Sequence, residues 1–474
     1  MINSFFLSKN GLSLNEFYKI VIKNGEYTLS FSLSKEVKDQ VVQSRRTLES
    51  LISSNKVIYG VNTGFGNLVN HIIGINDQFL LQKNLIMSHS VGRGDSLPED
   101  ITRGALLLLI NSLSKGKSGI RIETLLTLIS LLNSQLKPII PSLGSLGASG
   151  DLAPLAHLAL ILLGSGLVKT QQGDIISGNK ALNLLKLSPL KLEAKEGLAL
   201  INGTHFMTSS LLLAIRNSIN AIIIADVNIA LLVEVMAGNI NAFNEKLLEN
   251  RPFLGQLESS RIVCDLLIDS TNILESKVIQ DAYSIRCSPQ VHGAIRDTLY
   301  YILQQVKIEL NSVTDNPIII DNNNIYSGGL FHGEPISLLS DFLAIALTEL
   351  ASISERRINR LLDPSLNRNL PPFLIKSSGL NSGLMIVQYT VASIVSHMRH
   401  LASPNSIDNI SVSANQEDHV SMGLHAALKA YECSKLILEI LSGELFCLRQ
   451  ALGFRDNQRF SPKIKKIYKK LSDF

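Results

Sequence analysis

Residues 335–362 form the feature that most limits what this chain can fold into. Apolar residues recur there at steps of three and four, a spacing that places them on one face of an α-helix. Pro335 stands where a first-turn proline is tolerated, and Pro364 lies just past the last apolar residue. A helix of this length is typical of a bundle of long helices, so we predict a mainly α fold.

Helical periodicity of the same kind continues over much of the chain. Its other long segments are residues 208–235, 387–401 and 419–446. The N-terminal region is more mixed, because residues 27–33 alternate apolar and polar side chains like a short strand and residues 57–61 form a second candidate strand. We predict a smaller mixed N-terminal part over residues 1–200 and a long-helix bundle over residues 201–474, forming one continuous structural unit.

Charge balance and cysteine spacing limit the classes of partner. The formal net charge is +4, from 44 basic and 40 acidic residues, which favours neither nucleic acid nor a membrane surface as a partner. Four cysteines lie far apart without a C-x-x-C pair, as in a reduced cytosolic protein. Residues 152–168 and 211–235 are apolar but interrupted by polar residues, so we predict buried helices rather than membrane spans. No signal peptide is evident, and we expect a cytoplasmic protein.

The stretch GSLGASGD, residues 144–151, is a glycine-rich turn that leads into an apolar segment. A phosphate-binding loop would need a lysine after the glycines, and a dinucleotide-binding turn would need a different glycine spacing. A nucleophile elbow would need its second glycine one place later. Two interpretations remain. One is a plain turn between helices in which Asp151 caps the helix that follows, and the other is covalent.

In the covalent interpretation Ala148, Ser149 and Gly150 cyclise on themselves. The Gly150 nitrogen attacks the Ala148 carbonyl and water leaves, after which Ser149 loses its hydroxyl as a second water. Glycine offers the least hindered nitrogen and the widest choice of backbone angles. Serine supplies a hydroxyl that can be eliminated, and alanine is small enough for a tight bend. The product is an imidazolone ring that carries an electron-poor methylidene.

The glycine-rich turn belongs to a series of motifs that follow one another along nearly the whole chain. They are YGVNTGFG at 59–66, GSLGASGDLAPLAH at 144–157, EGLALINGT at 196–204, QDAYSIRC at 280–287 and ANQEDHVSM at 414–422. This series resembles the histidine/phenylalanine ammonia-lyase family. The resemblance implies the ammonia-lyase (fumarase/aspartase-like) fold, a homotetramer, a small amino acid as substrate, and the prosthetic group 4-methylideneimidazol-5-one (MIO) formed autocatalytically from Ala148, Ser149 and Gly150. The family needs no metal.

The resemblance also implies roles for three further catalytic residues. Tyr59 matches the lid tyrosine proposed as the general base, and the glycines around it suit a mobile lid. Tyr283 resembles the tyrosine placed near the electrophile, where it would tune proton transfer at the amine. Glu417 follows the pattern of histidine lyases, where a carboxylate can pair with an imidazolium or act in proton transfer.

Five residues match substrate-binding positions of the family. Arg286 matches the arginine that pairs with the substrate carboxylate, and its planar fork suits bidentate capture. Asn202 matches the asparagine beside the prosthetic group. Gln280 and Phe331 match active-site positions, the latter as apolar cover over the ring. His89 occupies the selectivity position, where it can exchange a hydrogen bond with a substrate imidazole.

The Ser88-His89 pair and Glu417 together indicate histidine as the substrate, so the resemblance implies deamination of L-histidine to trans-urocanate and ammonia. Other positions depart from the family pattern. Leu330 stands where the family usually has asparagine, and His205 where histidine lyases usually carry glutamine. The residues His397-Met398-Arg399 replace a typical Glu-Asn-Lys. These departures leave open a phenylalanine or tyrosine ammonia-lyase, an MIO-dependent aminomutase, or a catalytically impaired relative.

Overall fold

The computed structural model describes residues 2–22, 28–54 and 56–472, and it is mainly α-helical as predicted. The α-helices within those residues are α1 (Leu14–Val21), α2 (Lys35–Ser53), α3 (Gln78–His89), α4 (Glu99–Leu113), α5 (Ile122–Asn133), α6 (Leu152–Leu162), α7 (Gly178–Leu184), α8 (Glu196–Ile201), α9 (His205–Met236), α10 (Glu245–Leu248), α11 (Leu254–Leu266), α12 (Thr271–Leu274), α13 (Tyr283–Arg286), α14 (Ser288–Glu309), α15 (Glu334–Leu362), α16 (Met385–Leu401), α17 (Gly423–Leu452) and α18 (Pro462–Ser472).

The strands are short. They are β1 (Ile2–Leu7), β2 (Thr28–Leu33), β3 (Arg93–Ser96), β4 (Lys137–Pro138), β5 (Pro141–Leu143), β6 (Leu167–Lys169), β7 (Ile175–Ser177), β8 (Ile318–Ile319) and β9 (Ile325–Tyr326). β1 and β2 pair in parallel, while the antiparallel pairs are β3 with β5, the central strand β6 with both β4 and β7, and β8 with β9. β2 confirms the strand predicted over residues 27–33, except that Tyr27 lies outside the described residues.

Three of the four predicted long helices are confirmed as α9, α15 and α16. The fourth prediction, residues 419–446, is wrong at its start, because α17 begins only at Gly423. The Met422 N–H donates to the Leu146 carbonyl at 2.8 Å, and the Ser421 hydroxyl donates to the Gly147 carbonyl at 3.1 Å. These bonds hold the residues before α17 against the glycine-rich turn instead of in a helix.

The strand predicted over residues 57–61 is also wrong, because this segment forms a turn. The Ile58 N–H donates to the Asn62 side-chain oxygen at 2.7 Å, and the Val61 N–H donates to the Ile58 carbonyl at 3.1 Å. Ile58 and Val61 are buried in a small apolar cluster with Leu48 and Leu51. The turn is therefore anchored on both sides of Tyr59.

Two compact units divide the chain. The first comprises residues 1–213, 305–340 and 404–428, and the second comprises residues 214–304, 341–403 and 429–474. The predicted division at residue 200 stays a prediction. Two helices in the described part of the chain, α9 and α15, are long and apolar enough to cross a membrane, but 72% of the most apolar window of each is buried inside the protein. Buried core helices pass the same test of length and hydropathy.

Within the first unit α3, α6 and α8 pack against one another. A predicted site residue lies at one end of each helix. His89 is the last residue of α3, Ser149 lies shortly before α6, and Asn202 directly follows α8. α6 and α8 are almost entirely buried, and the Leu198 N–H of α8 donates to the buried Gln82 side chain of α3 at 3.1 Å. Packing of the three helices therefore brings these three ends together.

Candidate active site

A cavity of about 860 Å³ opens in the first unit at the ends of α3, α6 and α8. Its lining contains seven of the predicted site residues, namely Tyr59, His89, Ala148, Ser149, Asn202, Phe331 and Glu417. Gly150 is bonded to Ser149 directly behind this wall. Residues separated by more than 350 positions in the sequence thus surround one space, which could hold a small ligand of mixed polarity.

The Ala148-Ser149-Gly150 backbone is enclosed on two sides. Gly147 and Gly150 have φ angles of +72° and +76°, a region that favours glycine. A Cβ at Gly150 would lie 2.2 Å from the Gly203 carbonyl oxygen, and one at Gly147 would lie 2.1 Å from the Ser421 Oγ. Only glycine fits at either position. The tripeptide therefore fits MIO formation. Glycine leaves the Gly150 nitrogen the least hindered, and Ser149 lines the cavity.

Asp151 does not cap α6, so that part of the plain-turn interpretation is wrong. Its carboxylate accepts hydrogen bonds from the Phe206 N–H at 2.8 Å and the Met207 N–H at 3.0 Å, in the first turn of α9. Its own N–H donates to the Gly203 carbonyl at 2.7 Å. Burial raises the pKa of Asp151 to about 7, and the nearby charge of Glu309 acts in the same direction. The residue after the tripeptide thus fastens the turn to another helix.

Tyr59 lies half-buried in the anchored turn between Ile58 and Val61. Its hydroxyl oxygen accepts a hydrogen bond from the Gly66 N–H at 3.0 Å, and its ring meets the Phe65 ring edge-on at 6.5 Å. Gly60 has a φ of +64°, where a Cβ would lie 2.4 Å from a Leu198 methyl carbon. The glycine therefore lets this turn approach α8 closely and places the phenol in the cavity wall.

His89 presents one ring nitrogen to its own helix. Nδ1 lies 2.9 Å from the Leu85 carbonyl oxygen, and because a carbonyl only accepts, Nδ1 carries the proton. Nε2 of the neutral ring is then a hydrogen-bond acceptor. Burial lowers the pKa of His89, which keeps the ring neutral near pH 7. A neutral acceptor in the cavity wall can receive the N–H of an imidazole.

Glu417 enters the cavity from the loop before α17. Its backbone forms an antiparallel bridge with Val412, and Ser413, Ala414 and Asn415 between them all have positive φ angles. This tight loop presents the carboxylate to the cavity. Burial raises the pKa of Glu417. A cationic or hydrogen-bonding group on a ligand would recover the solvation that this carboxylate has lost.

Asn202 and Asn316 together hold a second wall of the cavity, and the sequence analysis missed Asn316. The Asn202 side-chain amide donates to the Asn316 carbonyl at 3.4 Å. The Asn316 side chain donates to the Ser327 hydroxyl at 3.0 Å and accepts from the Gly328 N–H at 2.7 Å. Asn316 therefore fixes the loop that leads to Phe331. The only signal in the sequence was an amide beside a turn-forming proline.

The wall around Phe331 contains two histidines that sequence reasoning also missed. The rings of His332 and His419 stack with centroids 5.6 Å apart and planes 3° from parallel. Both line the cavity, as does Phe331. Leu330, which departs from the family pattern, is 55% exposed and is not among the lining residues. Leu330 therefore does not contribute to the described cavity wall.

The remaining three predicted residues lie in the second unit and do not line this cavity. Tyr283 and Arg286 occupy the single helical turn α13, and the Arg286 guanidinium lies 4.5 Å from the centre of the Tyr283 ring. The two side chains therefore contact each other on one face of this turn. Tyr283 is 70% exposed, and Gln280 is also exposed. Arg286 Nε is buried without a hydrogen-bond partner among the residues that the structure describes.

No group of three or more metal-ligating side chains occurs within the described ranges. Two pairs of histidines lie close together in the sequence, His397 with His400 and His419 with His425, and neither belongs to such a cluster within the described residues. His397 instead lies 3.1 Å from the Glu432 carboxylate at an exposed position.

Comparison with known proteins gives consistent matches over nearly the whole chain. The sequence profile described as aromatic amino acid lyase matches residues 12–473. The histidine ammonia-lyase of Caldanaerobacter subterraneus subsp. tengcongensis is 45% identical over 97% of this chain and 90% of its own length. The histidine ammonia-lyase of Alkaliphilus oremlandii is 47% identical over 89% of this chain and 83% of its own length.

Solved structures of the same class superpose closely. The histidine ammonia-lyase from Trypanosoma cruzi has a TM-score of 0.90 and 36% identity, covering 98% of this chain and 88% of its own. The phenylalanine aminomutase of Pantoea agglomerans has a TM-score of 0.91 and 35% identity, covering 98% of this chain and 93% of its own. These matches confirm the predicted ammonia-lyase fold.

Proposed function

Because this chain belongs to the aromatic amino acid lyase family, we propose that it deaminates L-histidine to trans-urocanate and ammonia. The observation that carries the proposal is the gathering of His89, Glu417 and Ser149 around one cavity. His89 and Glu417 are the two residues that a substrate imidazole would need, and Ser149 is the residue that would carry the reactive carbon. The curated relatives named as histidine ammonia-lyases support the same substrate.

We infer that the prosthetic group is MIO, formed from Ala148, Ser149 and Gly150. It supplies an electron-poor carbon that makes the substrate amine a better leaving group. The Tyr59 oxygen, oriented by the Gly66 N–H, would take the β-proton of the substrate as general base in the phenolate form of the side chain. His89 Nε2 accepts the imidazole N–H of the substrate. The Glu417 carboxylate pairs with the other side of the ring when the imidazole is protonated.

The substrate carboxylate requires a cation, and Arg286 of the same chain does not line the cavity. We therefore propose that the site is completed in the tetramer, where Arg286, Tyr283 and Gln280 come from a neighbouring subunit. A bidentate carboxylate would satisfy the guanidinium of Arg286, whose buried Nε has no partner in the part of the chain that the structure describes. Tyr283 stacks on that guanidinium and would reach the amine side of the substrate. Gln280 and Asn202 would add amide hydrogen bonds, and Phe331 would cover the ring.

The oligomeric state and the cellular location are further parts of this proposal. We propose a cytoplasmic homotetramer that requires neither nucleic acid nor a membrane nor a metal. Within the second unit, α14 and α15 present an apolar groove of about 670 Å³ lined by the exposed side chains Tyr301, Phe342 and Ile345. Exposed apolar surface of this kind is typical of an interface between protein subunits. Light scattering of the purified protein tests the tetramer.

A substrate panel on the purified protein tests the activity. L-Histidine, L-phenylalanine and L-tyrosine are supplied in turn, and the product is followed as a conjugated acid by absorbance and as a β-amino acid by chromatography. We expect urocanate from histidine. A β-amino acid would instead identify an aminomutase, a possibility that the similarity to the Pantoea agglomerans enzyme raises. No product from any substrate would identify an impaired relative.

His89→Leu tests which residue selects the substrate. A buried polar group that loses its partner costs about 1–3 kcal/mol, so we expect histidine turnover to fall by about 10- to 100-fold more than turnover of an aromatic amino acid. Met87→Leu, two residues away on an exposed position outside the cavity lining, is the control. Equal losses for both substrates would show that His89 is not the selector.

A further inference from the structure

Glu309 is a largely buried carboxylate that has no part in the proposed reaction. It is the last residue of α14 and belongs to the first unit. The Thr204 hydroxyl donates a hydrogen bond to its Oε1. Burial raises the pKa of Glu309, so this side chain is held in the interior at a cost. Within the described residues, the hydrogen bond from Thr204 is the side-chain contact that offsets part of this cost.

Thr204 is fixed at two of its atoms. Its hydroxyl is held by Glu309, and its N–H donates to the Thr314 Oγ1 at 3.4 Å. The residue before it is Gly203, whose φ is +124°. A Cβ at Gly203 would lie 2.6 Å from the same Thr314 oxygen, so no other residue type fits there. Glu309 and Thr314 thus determine where the Gly203 peptide lies.

The Gly203 peptide is in turn the wall against which the reactive turn packs. Gly203 and Gly150 form an isolated parallel bridge, and the Gly203 carbonyl accepts the Asp151 N–H at 2.7 Å. A Cβ at Gly150 would lie 2.2 Å from that carbonyl oxygen. Movement of Gly203 away from this position would therefore release Gly150, whose nitrogen must approach the Ala148 carbonyl.

We propose that Glu309 is a positioning residue for the cyclisation of Ala148-Ser149-Gly150, acting through Thr204 and Gly203. The inference rests on the proposed function, because it concerns the formation of MIO. It assigns to Glu309 no contact with the reacting atoms. Its effect is to keep the Gly150 backbone pressed towards the Ala148 carbonyl in the folded chain.

The chemistry that Glu309 would assist is a double dehydration. The Gly150 nitrogen forms a bond to the Ala148 carbonyl carbon, and a C=N bond forms between that carbon and the Ser149 nitrogen. The Ala148 oxygen leaves as water with the protons of these two nitrogens. Ser149 then loses its α-proton and its hydroxyl as the second water. An amide nitrogen is a weak nucleophile, so a reaction of this kind depends strongly on the approach of the two atoms.

Intact mass of the purified protein measures cyclisation without reference to activity, because each mature chain is lighter by two waters. Glu309→Leu removes the acceptor for Thr204, whereas Glu309→Gln retains an acceptor oxygen. Ser312→Ala is the control, because Ser312 lines the same small cavity but donates to the Ile308 carbonyl. Thermal unfolding of each variant reports whether the fold is retained.

We expect the wild-type protein, Glu309→Gln and Ser312→Ala to be mature, and Glu309→Leu to cyclise at least tenfold more slowly, so that chains of full mass persist. Should Glu309→Leu fail to fold, Thr204→Val removes the same hydrogen bond from the other side, with Thr204→Ser as its rescue. Normal maturation of Glu309→Leu or of Thr204→Val would overturn the inference, as would equal impairment of Glu309→Gln. A wild-type chain of full mass would instead overturn the proposed function.

Discussion

The turn at residues 144–151 and the helical turn α13 carry the two most informative motifs of the chain, yet their surroundings differ. The first is enclosed by Gly203 and Ser421, and its last residue is fastened to α9 by two backbone hydrogen bonds. The second holds an exposed Tyr283 stacked on Arg286, whose buried Nε has no partner within the described residues.

The difference agrees with the roles proposed for the two turns. A turn whose own backbone reacts has no ligand to organise it, so the protein must fix its geometry in advance. A turn that binds a ligand must keep a donor available, even though an unpaired buried donor costs about 1–3 kcal/mol. We call residues 144–151 the complete turn, and α13, in which Arg286 Nε lacks a partner among the described residues, the incomplete turn. The complete turn is expected to be sensitive to small steric changes, and the incomplete turn to changes in the chemistry of its side chains.

Ser149→Ala is expected to have the largest effect on the complete turn. Alanine has no hydroxyl to lose, so turnover should fall by at least about 1,000-fold while the fold is retained. Intact mass and a product assay check both parts. Ser130→Ala, at an exposed position on α5, is the control and should leave turnover unchanged. Ordinary turnover by Ser149→Ala would remove the basis for treating the first turn as reactive.

Gly203→Ala tests whether the enclosure of the complete turn is steric. The new Cβ would meet the Thr314 hydroxyl at 2.6 Å, so we expect a loss of about 3–5 kcal/mol in the free energy of unfolding. Gly173→Ala has a similar positive φ of +97° but no atom within 4 Å, and it should cost only about 1 kcal/mol. Urea denaturation measures both. Equal losses would mean that backbone strain alone requires the glycine.

Asp151→Asn tests the charge of the complete turn through pH. The pKa of Asp151 is about 7 in the folded chain and about 4 when unfolded, so the folded state binds the extra proton between these values. Stability should therefore fall as pH rises from about 4 to about 7, by about 2–4 kcal/mol more in the wild type than in the variant.

His205, whose pKa burial lowers to about 3, changes stability in the opposite direction, since its unfolded form binds the proton. It is present in both proteins, so its effect cancels in the difference between them. Urea midpoints measured across this pH range give that difference. If the wild type and Asp151→Asn follow parallel curves, Asp151 does not titrate as stated.

Arg286→Lys tests the incomplete turn. Lysine keeps the charge but loses the planar fork, so we expect KM for the amino acid to rise by about 10- to 100-fold with little change in stability. Arg251→Lys is a matched control, because Arg251 also lies over an aromatic ring, that of Phe253, at 5.1 Å. An unchanged KM in Arg286→Lys would show that the unpaired guanidinium does not serve the substrate carboxylate.

Periodicity predicted the long helices because their apolar faces extend over many turns, and the motifs identified seven of the residues that line the cavity. Contacts between segments that are distant in the sequence could not be predicted. The start of α17 depends on hydrogen bonds from Ser421 and Met422 to the glycine-rich turn, which no local pattern records. Asp151 has the position of a cap for α6 but bonds to α9, because the fold offers two unpaired N–H groups there.

Asn316 and the His332–His419 stack escaped prediction for a related reason. An amide beside a proline, or a single histidine, has many structural uses, and its neighbours decide which one applies. Asn316 contacts Asn202, Ser327 and Gly328 only after the intervening strands have folded back. Motifs could identify residues of the candidate site one by one, while the contacts that support them could not be predicted, and the proposed roles of these residues stay predictions.

The bonds from Asp151 to the start of α9 also fix an order of events during biosynthesis. The carboxylate can occupy its place only when residues 206 and 207, more than 50 positions further along, have left the ribosome and begun to coil. Until then the turn at residues 144–151 lacks the two hydrogen bonds that join Asp151 to α9. If the tripeptide cyclises as proposed, we expect the reaction to follow synthesis of α9, so that a nascent chain arrested before α9 carries an unreacted tripeptide.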